Sequence, residues 1–582
     1  MNCVSPAIKA TTRPPKRQGL IPVRRQYALK FPVGLGIALL NLGFLLLPGA
    51  IAPHPALGAL RVYISYGPLD FYLPISELEV YAREGKIGPE LGFYAKYADP
   101  KQLERLRRVL LTRVNLSPVA ISQFLYSPTG EILLQRIGEV IQTKAGQPGF
   151  YAIRAALIQA AASPEGLTPL NVLRKFPTYG IRINTERSLQ IIDQLSDLIN
   201  QTRLALAAVE DQSVAEASTE TALNLFQLPD IRQPGEGTWT KQTITLDDRS
   251  RNRVFPADIY LPQESNQRPA PLVIISHGLG NDRTTFEYLA KHLVSYGFAV
   301  AVPEHPGSNA QQIRKLITGF DRVVSPDREV IDRPMDVKFL LDRLGRLFPG
   351  KINLQQVGAI GQSFGGYTAL ALAGGKLNFE AIQKNCLNSD NSLNLSLLLQ
   401  CRALVLPPAD YKLQDERIKA AIAINPVTSS LFGETGVSNI KVPVMVVASS
   451  ADTVAPALSE QIQPFTWLTT PDKYLVLLRQ GTHFSTLADS TRLVPVPTQA
   501  LGPNPQTAYE YMKALSLAFF KTYITGDPNY QPYLSASYAQ SISEYPIPLS
   551  LVHALTAAQL TQEKVNSTPP EPTPTPSPSP TP

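Results

Sequence analysis

A serine with glycine two residues to either side, Gly361-Gln362-Ser363-Phe364-Gly365-Gly366, stands between an apolar run (Val357 to Ile360) and a helix-forming run (Tyr367 to Ala373). Strand, sharp turn and helix in that order leave the backbone little freedom. A serine at the tip of so tight a turn is held in a strained conformation, and Gly361 and Gly365 must approach neighbouring chain without side chains. A Gly-rich turn of no chemical consequence has the same local pattern, so its meaning depends on what lies downstream.

Two apolar segments follow it. Val442 to Ser449 is too apolar for an exposed strand and reads as central and parallel, with Asp452 in the loop behind it, ended by Pro456. Tyr474 to Leu478 reads the same way and opens into Gln480-Gly481-Thr482-His483-Phe484. A carboxylate and a histidine thus sit just past the C-terminal ends of successive strands, the edge of a parallel sheet where catalytic groups collect. Serine is a poor nucleophile until a base takes its proton, and the base needs a carboxylate to orient it and stabilise the imidazolium. Of the six histidines, His483 alone fits this slot. An earlier strand, Pro271 to Ser276, opens into His277-Gly278-Leu279-Gly280-Asn281.

The chain order Ser363, Asp452, His483 resembles that of the α/β-hydrolases. The resemblance implies an α/β class fold, a mostly parallel sheet flanked by helices, here preceded by a mainly helical domain. It also implies that Gly361 and Gly365 belong to a nucleophile elbow and that the Leu279 and Phe364 amides bind an oxyanion. His277 then braces its loop rather than reacting. The segments His277 to Gly280, Ala301 to Ser308, Met335 to Asp342 and the elbow resemble the platelet-activating-factor acetylhydrolase and dienelactone-hydrolase branch, over roughly residues 238–530. Two positions depart from that branch. Gln362 stands where acetylhydrolases often carry His. Asn425, in Ile422-Ala423-Ile424-Asn425-Pro426, occupies the place of their triad acid and cannot supply the charge. Asp452, one strand later, is therefore the expected acid, with Asp472 and Asp489 the nearest substitutes. Upstream, Tyr63 to Pro68, Ile75 to Glu79, Gly138 to Thr143 and Phe150 to Ala156 resemble an uncharacterised domain fused to such hydrolases, chiefly in cyanobacteria, over about 60–185.

At 582 residues the chain exceeds one compact core. Its net charge of +7 is local: Lys9, Arg13, Lys16, Arg17, Arg24, Arg25 and Lys30 fall in the first thirty residues, and the other 47 basic residues balance 47 acidic ones. No basic field for nucleic acid remains. Behind the basic block, Val33 to Leu47 is apolar and Pro48 to Ala52 is small. That order is an export signal or, uncleaved, a membrane anchor through residues 33–47, and it predicts a periplasmic or extracellular protein. The expected organisation is signal or anchor 1–59, helical domain 60–209, linker 210–237, catalytic domain 238–530, extension 531–567 and a disordered Pro-rich tail 568–582. Apolar stripes, Leu103, Leu106 and Leu110 on one helix and Leu189, Ile192, Leu195 and Ile199 on another, are expected to face the core. Thr284 to Glu287 reads as a capping box.

Lys376 to Lys419 is an insertion that either overhangs the site or forms a surface loop. It holds Cys386 and Cys401, whose pairing would suit an exported protein. No metal-ligand spacing, phosphate loop or dinucleotide fingerprint occurs, so no cofactor or metal is expected. These readings predict a carboxylic ester hydrolase acting on a lipid or short-chain acyl ester through an acyl-enzyme. The alternatives are a phospholipase A2-type acetylhydrolase or lipase on membrane lipids and, from another class, a non-catalytic envelope or adhesion scaffold. A scaffold has no physical need for all three triad residues.

Overall fold

The computed structural model describes residues 58–66, 69–220, 228–263, 268–387, 392–488 and 501–561. The expected export segment with its apolar run 33–47, Asp489 and the Pro-rich tail lie outside them. Among the described residues no helix is long and apolar enough to cross a membrane.

The N-terminal part is mainly helical, as expected, but it is built on four strands rather than one. Strands β1 (Arg61–Tyr66), β2 (Leu69–Pro74), β3 (Ile141–Thr143) and β4 (Gly180–Ile183) form a sheet of order β2-β1-β4-β3. Helices α1 (Ile75–Glu84), α2 (Pro89–Ala95), α3 (Pro100–Leu111), α4 (Pro118–Leu125), α5 (Pro128–Val140), α6 (Phe150–Ala162) and α7 (Pro169–Arg174) surround a core of its own, including Leu78, Leu110, Leu134 and Ile153. Several begin with proline behind a capping Asp, Ser or Thr (Asp99, Ser117, Ser127, Thr168), which satisfies first-turn amides.

One helix, α8 (Thr185–Thr219), then runs 35 residues. The polar stretch from Glu210, expected as linker, is its last third. The stripe Leu189, Ile192, Leu195, Ile199 is 43–56% exposed rather than core-facing. The buried residues of α8 come later, Ala205, Leu206 and Val209, where the helix meets the second core. Periodicity reveals a face, and the length of the neighbouring structure decides what covers it.

The second part is a nine-stranded sheet of order β13-β12-β11-β10-β9-β7-β8-β6-β5. Its middle is parallel: β8 (Ala299–Pro303), β7 (Ala270–Ser276), β9 (Ile352–Gln362), β10 (Ile418–Ile424), β11 (Val444–Ser449) and β12 (Lys473–Leu478). Apart from β9, whose first half is polar and exposed at Gln355 and Gln356, these strands carry Val, Ile, Leu and Ala almost without interruption because helices bury both faces. β5 (Trp239–Asp248) and β6 (Arg253–Pro262) form the antiparallel edge. α11 (Glu329–Leu347) and α12 (Phe364–Leu372) cover one face, α9 (Glu287–Ser295) and α14 (Gln506–Tyr523) the other. The architecture is the α/β-hydrolase fold.

The opposite edge is closed by the C-terminal extension. β13 (Leu549–Val552) pairs antiparallel with β12, and α8 clasps it: Ser213 Oγ accepts from Leu551 N at 3.3 Å, while Glu216 accepts from His553 N at 2.9 Å, His553 Nδ1 at 2.8 Å and Ala554 N at 3.1 Å. Glu220 accepts from Ala536 N and Ser537 N, both at 2.8 Å. The expected capping box of α9 does not form. Asp282 takes the Thr284 amide at 2.8 Å and its hydroxyl at 2.6 Å, so a turn beginning two residues earlier competes for the same groups.

Candidate active site

Ser363 stands between β9 and α12 with φ +56° and ψ −118°, the strained tip the sequence anticipates. A Cβ on Gly361 would meet Gly365 O at 2.2 Å, and one on Gly365 would meet Ser276 O at 2.0 Å. Only glycine fits either position. Ser363 is almost buried, and its Oγ makes no hydrogen bond with a described residue.

The expected base and acid meet. His483 Nδ1 donates to Asp452 Oδ2 at 2.6 Å. The other carboxylate oxygen of Asp452 accepts from Val454 N and Ala455 N, both at 2.8 Å, so the loop behind β11 wraps the acid and fixes its rotation. The residue beside the serine reaches the same loop: Gln362 Nε2 donates to His483 O at 3.0 Å. The Ser363–His483 bond itself is not formed. Such bonds are often long in unliganded sites and tighten with substrate. Asn425, at φ +41°, donates Nδ2 to Thr482 O at 3.3 Å and so braces the backbone beside His483, not its ring. Asp472 precedes β12, on the edge of the sheet away from His483, and accepts from Tyr523 Oη at 3.2 Å.

The Leu279 and Phe364 amides donate to no described residue. Phe364 opens α12, where amides lack helical partners. The loop carrying Leu279 is braced on both sides, by Gly280 N donating to Ser308 O at 2.8 Å and Ala310 N to Asn281 O at 2.9 Å. Gly278 has no room for a side chain, since its Cβ would lie 2.4 Å from Gln362 Oε1. His277 is buried. It accepts from His305 N on Nε2 at 3.0 Å and donates Nδ1–H to Gly278 O at 2.8 Å. Burial holds its pKa well below the usual value, with Arg333 and His305 adding to the effect, so it is a neutral brace.

A buried polar network beneath this loop has no counterpart in the sequence-based reading. Ser276 Oγ donates to His305 Nε2 and His305 Nδ1 to Asp336 Oδ2, each at 3.0 Å. Asp336 also accepts from Arg251 Nη2 at 2.9 Å and from Arg253 Nε and Nη2 at 2.8 and 2.7 Å. His305 and Asp336 lie in motifs that carried the resemblance, which offered their positions but no role.

The N-terminal part approaches this edge of the sheet. α4 packs on α10 (Ala310–Ile317), whose Ile313 side chain lies against Gly280, and Arg136 Nη1 donates to Ser392 O of the insertion at 3.2 Å. The insertion is a folded element: α13 (Phe379–Leu387) is tied to the following segment by a Cys386–Cys401 disulfide. Buried Glu460 accepts from Gln400 Nε2 at 3.0 Å and from Thr428 N and Ser429 N at 2.7 and 2.9 Å, fastening the insertion to the loop behind β10.

Residues 58–184 match the family described as alpha/beta hydrolase of unknown function (DUF1400), and residues 255–319 match the family described as platelet-activating factor acetylhydrolase, isoform II. The first match covers the N-terminal sheet and its helices. The second covers β6 to the end of α10, including Leu279 but not Ser363, Asp452 or His483. No curated protein matches the chain. The chain thus has the α/β-hydrolase fold and is similar, over those two stretches, to an α/β-hydrolase family of unknown function and to the acetylhydrolases.

Proposed function

We propose that the protein is a serine esterase that cleaves carboxylic esters through an acyl-enzyme. Ser363 Oγ attacks the acyl carbon and passes its proton to His483 Nε2. Asp452 keeps the Nδ1–H tautomer that leaves Nε2 free to accept, and stabilises the imidazolium. The Leu279 and Phe364 amides bind the oxyanion. Collapse of the tetrahedral adduct expels the alcohol, which takes the proton from His483, and water repeats the sequence to release the acid. The observation that carries this reading is the 2.6 Å Asp452–His483 bond beside a serine strained at an elbow of obligatory glycines.

A lipid ester, in the manner of a phospholipase A2-type acetylhydrolase, is the second reading, favoured by the acetylhydrolase match over residues 255–319. Export across the cytoplasmic membrane is supported by the disulfide. The N-terminal part is read as a cap over the substrate entrance, supported by the packing of α4 on α10. Ser363→Ala tests the core of the proposal. It should abolish labelling by a fluorophosphonate and lower turnover of nitrophenyl esters by several orders of magnitude. Full labelling of the variant sinks the assignment. Esters of increasing acyl length, run beside a short-chain phospholipid, separate the two substrate readings.

A further inference from the structure

Arg333, in α11, is fully buried and makes no ion pair with a described residue. Its guanidinium spreads over neutral oxygens: Nε donates to Thr368 Oγ1 at 3.1 Å, Nη1 to Ser308 Oγ at 2.7 Å, and Nη2 to Ser276 Oγ at 3.2 Å and to His277 O. Each hydroxyl passes its own proton onward. Ser276 donates to His305, Ser308 to Glu329 Oε2 at 2.7 Å, and Thr368 to Phe364 O at 2.8 Å. The guanidinium carbon also stands 4.7 Å from the centre of the Phe364 ring. Burial pushes its pKa down to about 9, which leaves it charged at neutral pH.

The placement of these partners matters more than their number. Ser276 and His277 end β7 and lead directly into Leu279. Thr368 and Phe364 form the first turn of α12, whose first amide is that of Phe364. One rigid, planar group therefore spans the two segments that carry the candidate oxyanion amides, and Ser308 ties it to the loop bracing Gly280. A guanidinium buried against neutral acceptors is expensive, and a well-packed apolar side chain would fill the same space at lower cost. A geometric task accounts for it better than stability does.

We propose that Arg333 is a positioning residue that fixes the separation of the Leu279 and Phe364 amides and so sets the fit of the oxyanion hole. The inference rests on the serine esterase reading above. His305 and Asp336 support it from below by orienting Ser276.

The test compares Arg333→Met and Arg333→Lys with the wild type in three measurements: kcat and KM on a nitrophenyl ester, affinity for an alkyl boronic acid whose tetrahedral adduct occupies the hole, and thermal midpoint. Arg333→Met should lower kcat by roughly 10²–10³, the range for losing an oxyanion donor, leave KM within about threefold, and weaken the boronate by a similar factor. Arg333→Lys keeps the charge but not the fork, and should recover only a small part. A folded Arg333→Met with unchanged kcat overturns the proposal, as does a lower kcat with undiminished boronate affinity. Should Arg333→Met fail to fold, Thr368→Val and Ser308→Ala, each removing one acceptor, should each cost about tenfold in kcat and in boronate affinity. Unchanged values in both overturn it equally. Wild-type labelling by fluorophosphonate at Ser363 is the control: its absence sinks the esterase reading and this proposal together, whereas labelling with unperturbed variants sinks the proposal alone.

Discussion

Asp452→Asn separates two roles of one carboxylate, and the geometry dictates which way the new amide turns. In the wild type Oδ1 accepts from Val454 N and Ala455 N, both at 2.8 Å, and Oδ2 accepts from His483 Nδ1 at 2.6 Å. An asparagine has one acceptor oxygen. Turned toward His483, it leaves two buried amides facing an NH2 group, at roughly 1–3 kcal/mol each. Turned toward the two amides, it keeps both bonds and presents its NH2 to His483 Nδ1. The second orientation wins, so His483 must take the opposite tautomer, with its proton on Nε2, where it cannot accept from Ser363. The expected cost is about 10⁴ in kcat, or about 5 kcal/mol of activation free energy, with little change in thermal midpoint because the loop retains its acceptor. Asp452→Ala should lose activity and also stability, since both amides are orphaned. The assay is ester turnover together with the rate of fluorophosphonate labelling, on protein whose midpoint is checked first. If folded Asp452→Asn retains kcat within tenfold of the wild type, another acid serves His483 and the argument from geometry is wrong.

A second prediction concerns acid stability. Burial pushes the His292 pKa down to about 4, with Lys513 adding to the effect, so its contribution is complete above the ordinary value near 6.5 and is lost as pH falls to about 4. The loss is about 3 kcal/mol, and His292→Leu should remove that share of the wild-type pH dependence in urea unfolding at pH 7 and 4; identical curves would refute it. His277 and His305 are displaced in the same direction by burial and should leave a residual acid sensitivity in the variant. For the cap, a chain starting near Gln233 removes Ala205, Leu206, Val209 and Glu216 from their partners and should aggregate. A chain starting at Asn184 keeps α8 and should fold, with Ser363 still labelled and with altered preference between short esters and bulky lipids. Unchanged preference in that folded truncation would exclude a cap.

What could be read from sequence was local or repeated. The elbow, each buried strand and the loops holding Asp452 and His483 are stretches of about ten residues, within which strand, turn and glycine chemistry leave a mark. The exclusion of Asn425 also came from chemistry alone, and its side chain is found turned to the Thr482 carbonyl. The Arg333 network left no such mark, because its partners stand 25 to 57 residues away and meet only when β7, α11 and α12 are side by side. The stripe from Leu189 to Ile199 was visible as a face, but nothing in its spacing says that the N-terminal core ends before reaching it. The capping box failed for a related reason: Thr284 to Glu287 has the right letters, and Asp282 just outside the window outcompetes them.

The clasp of α8 on β13 has a temporal side. Ser213 and Glu216 bind groups 338 and 337 positions later in the chain, respectively. At a synthesis rate of about 5–20 residues per second, roughly 20 to 70 seconds separate the appearance of the helix from that of its last partners. Throughout that interval the polar end of α8 has nothing to hold, and from the emergence of β12 until β13 follows, β12 presents an unpaired row of backbone groups at the edge of the sheet. Completion therefore waits for β13, and a ribosome that stops between residues 484 and 549 releases a chain whose catalytic loops are all present but whose sheet still has an open edge.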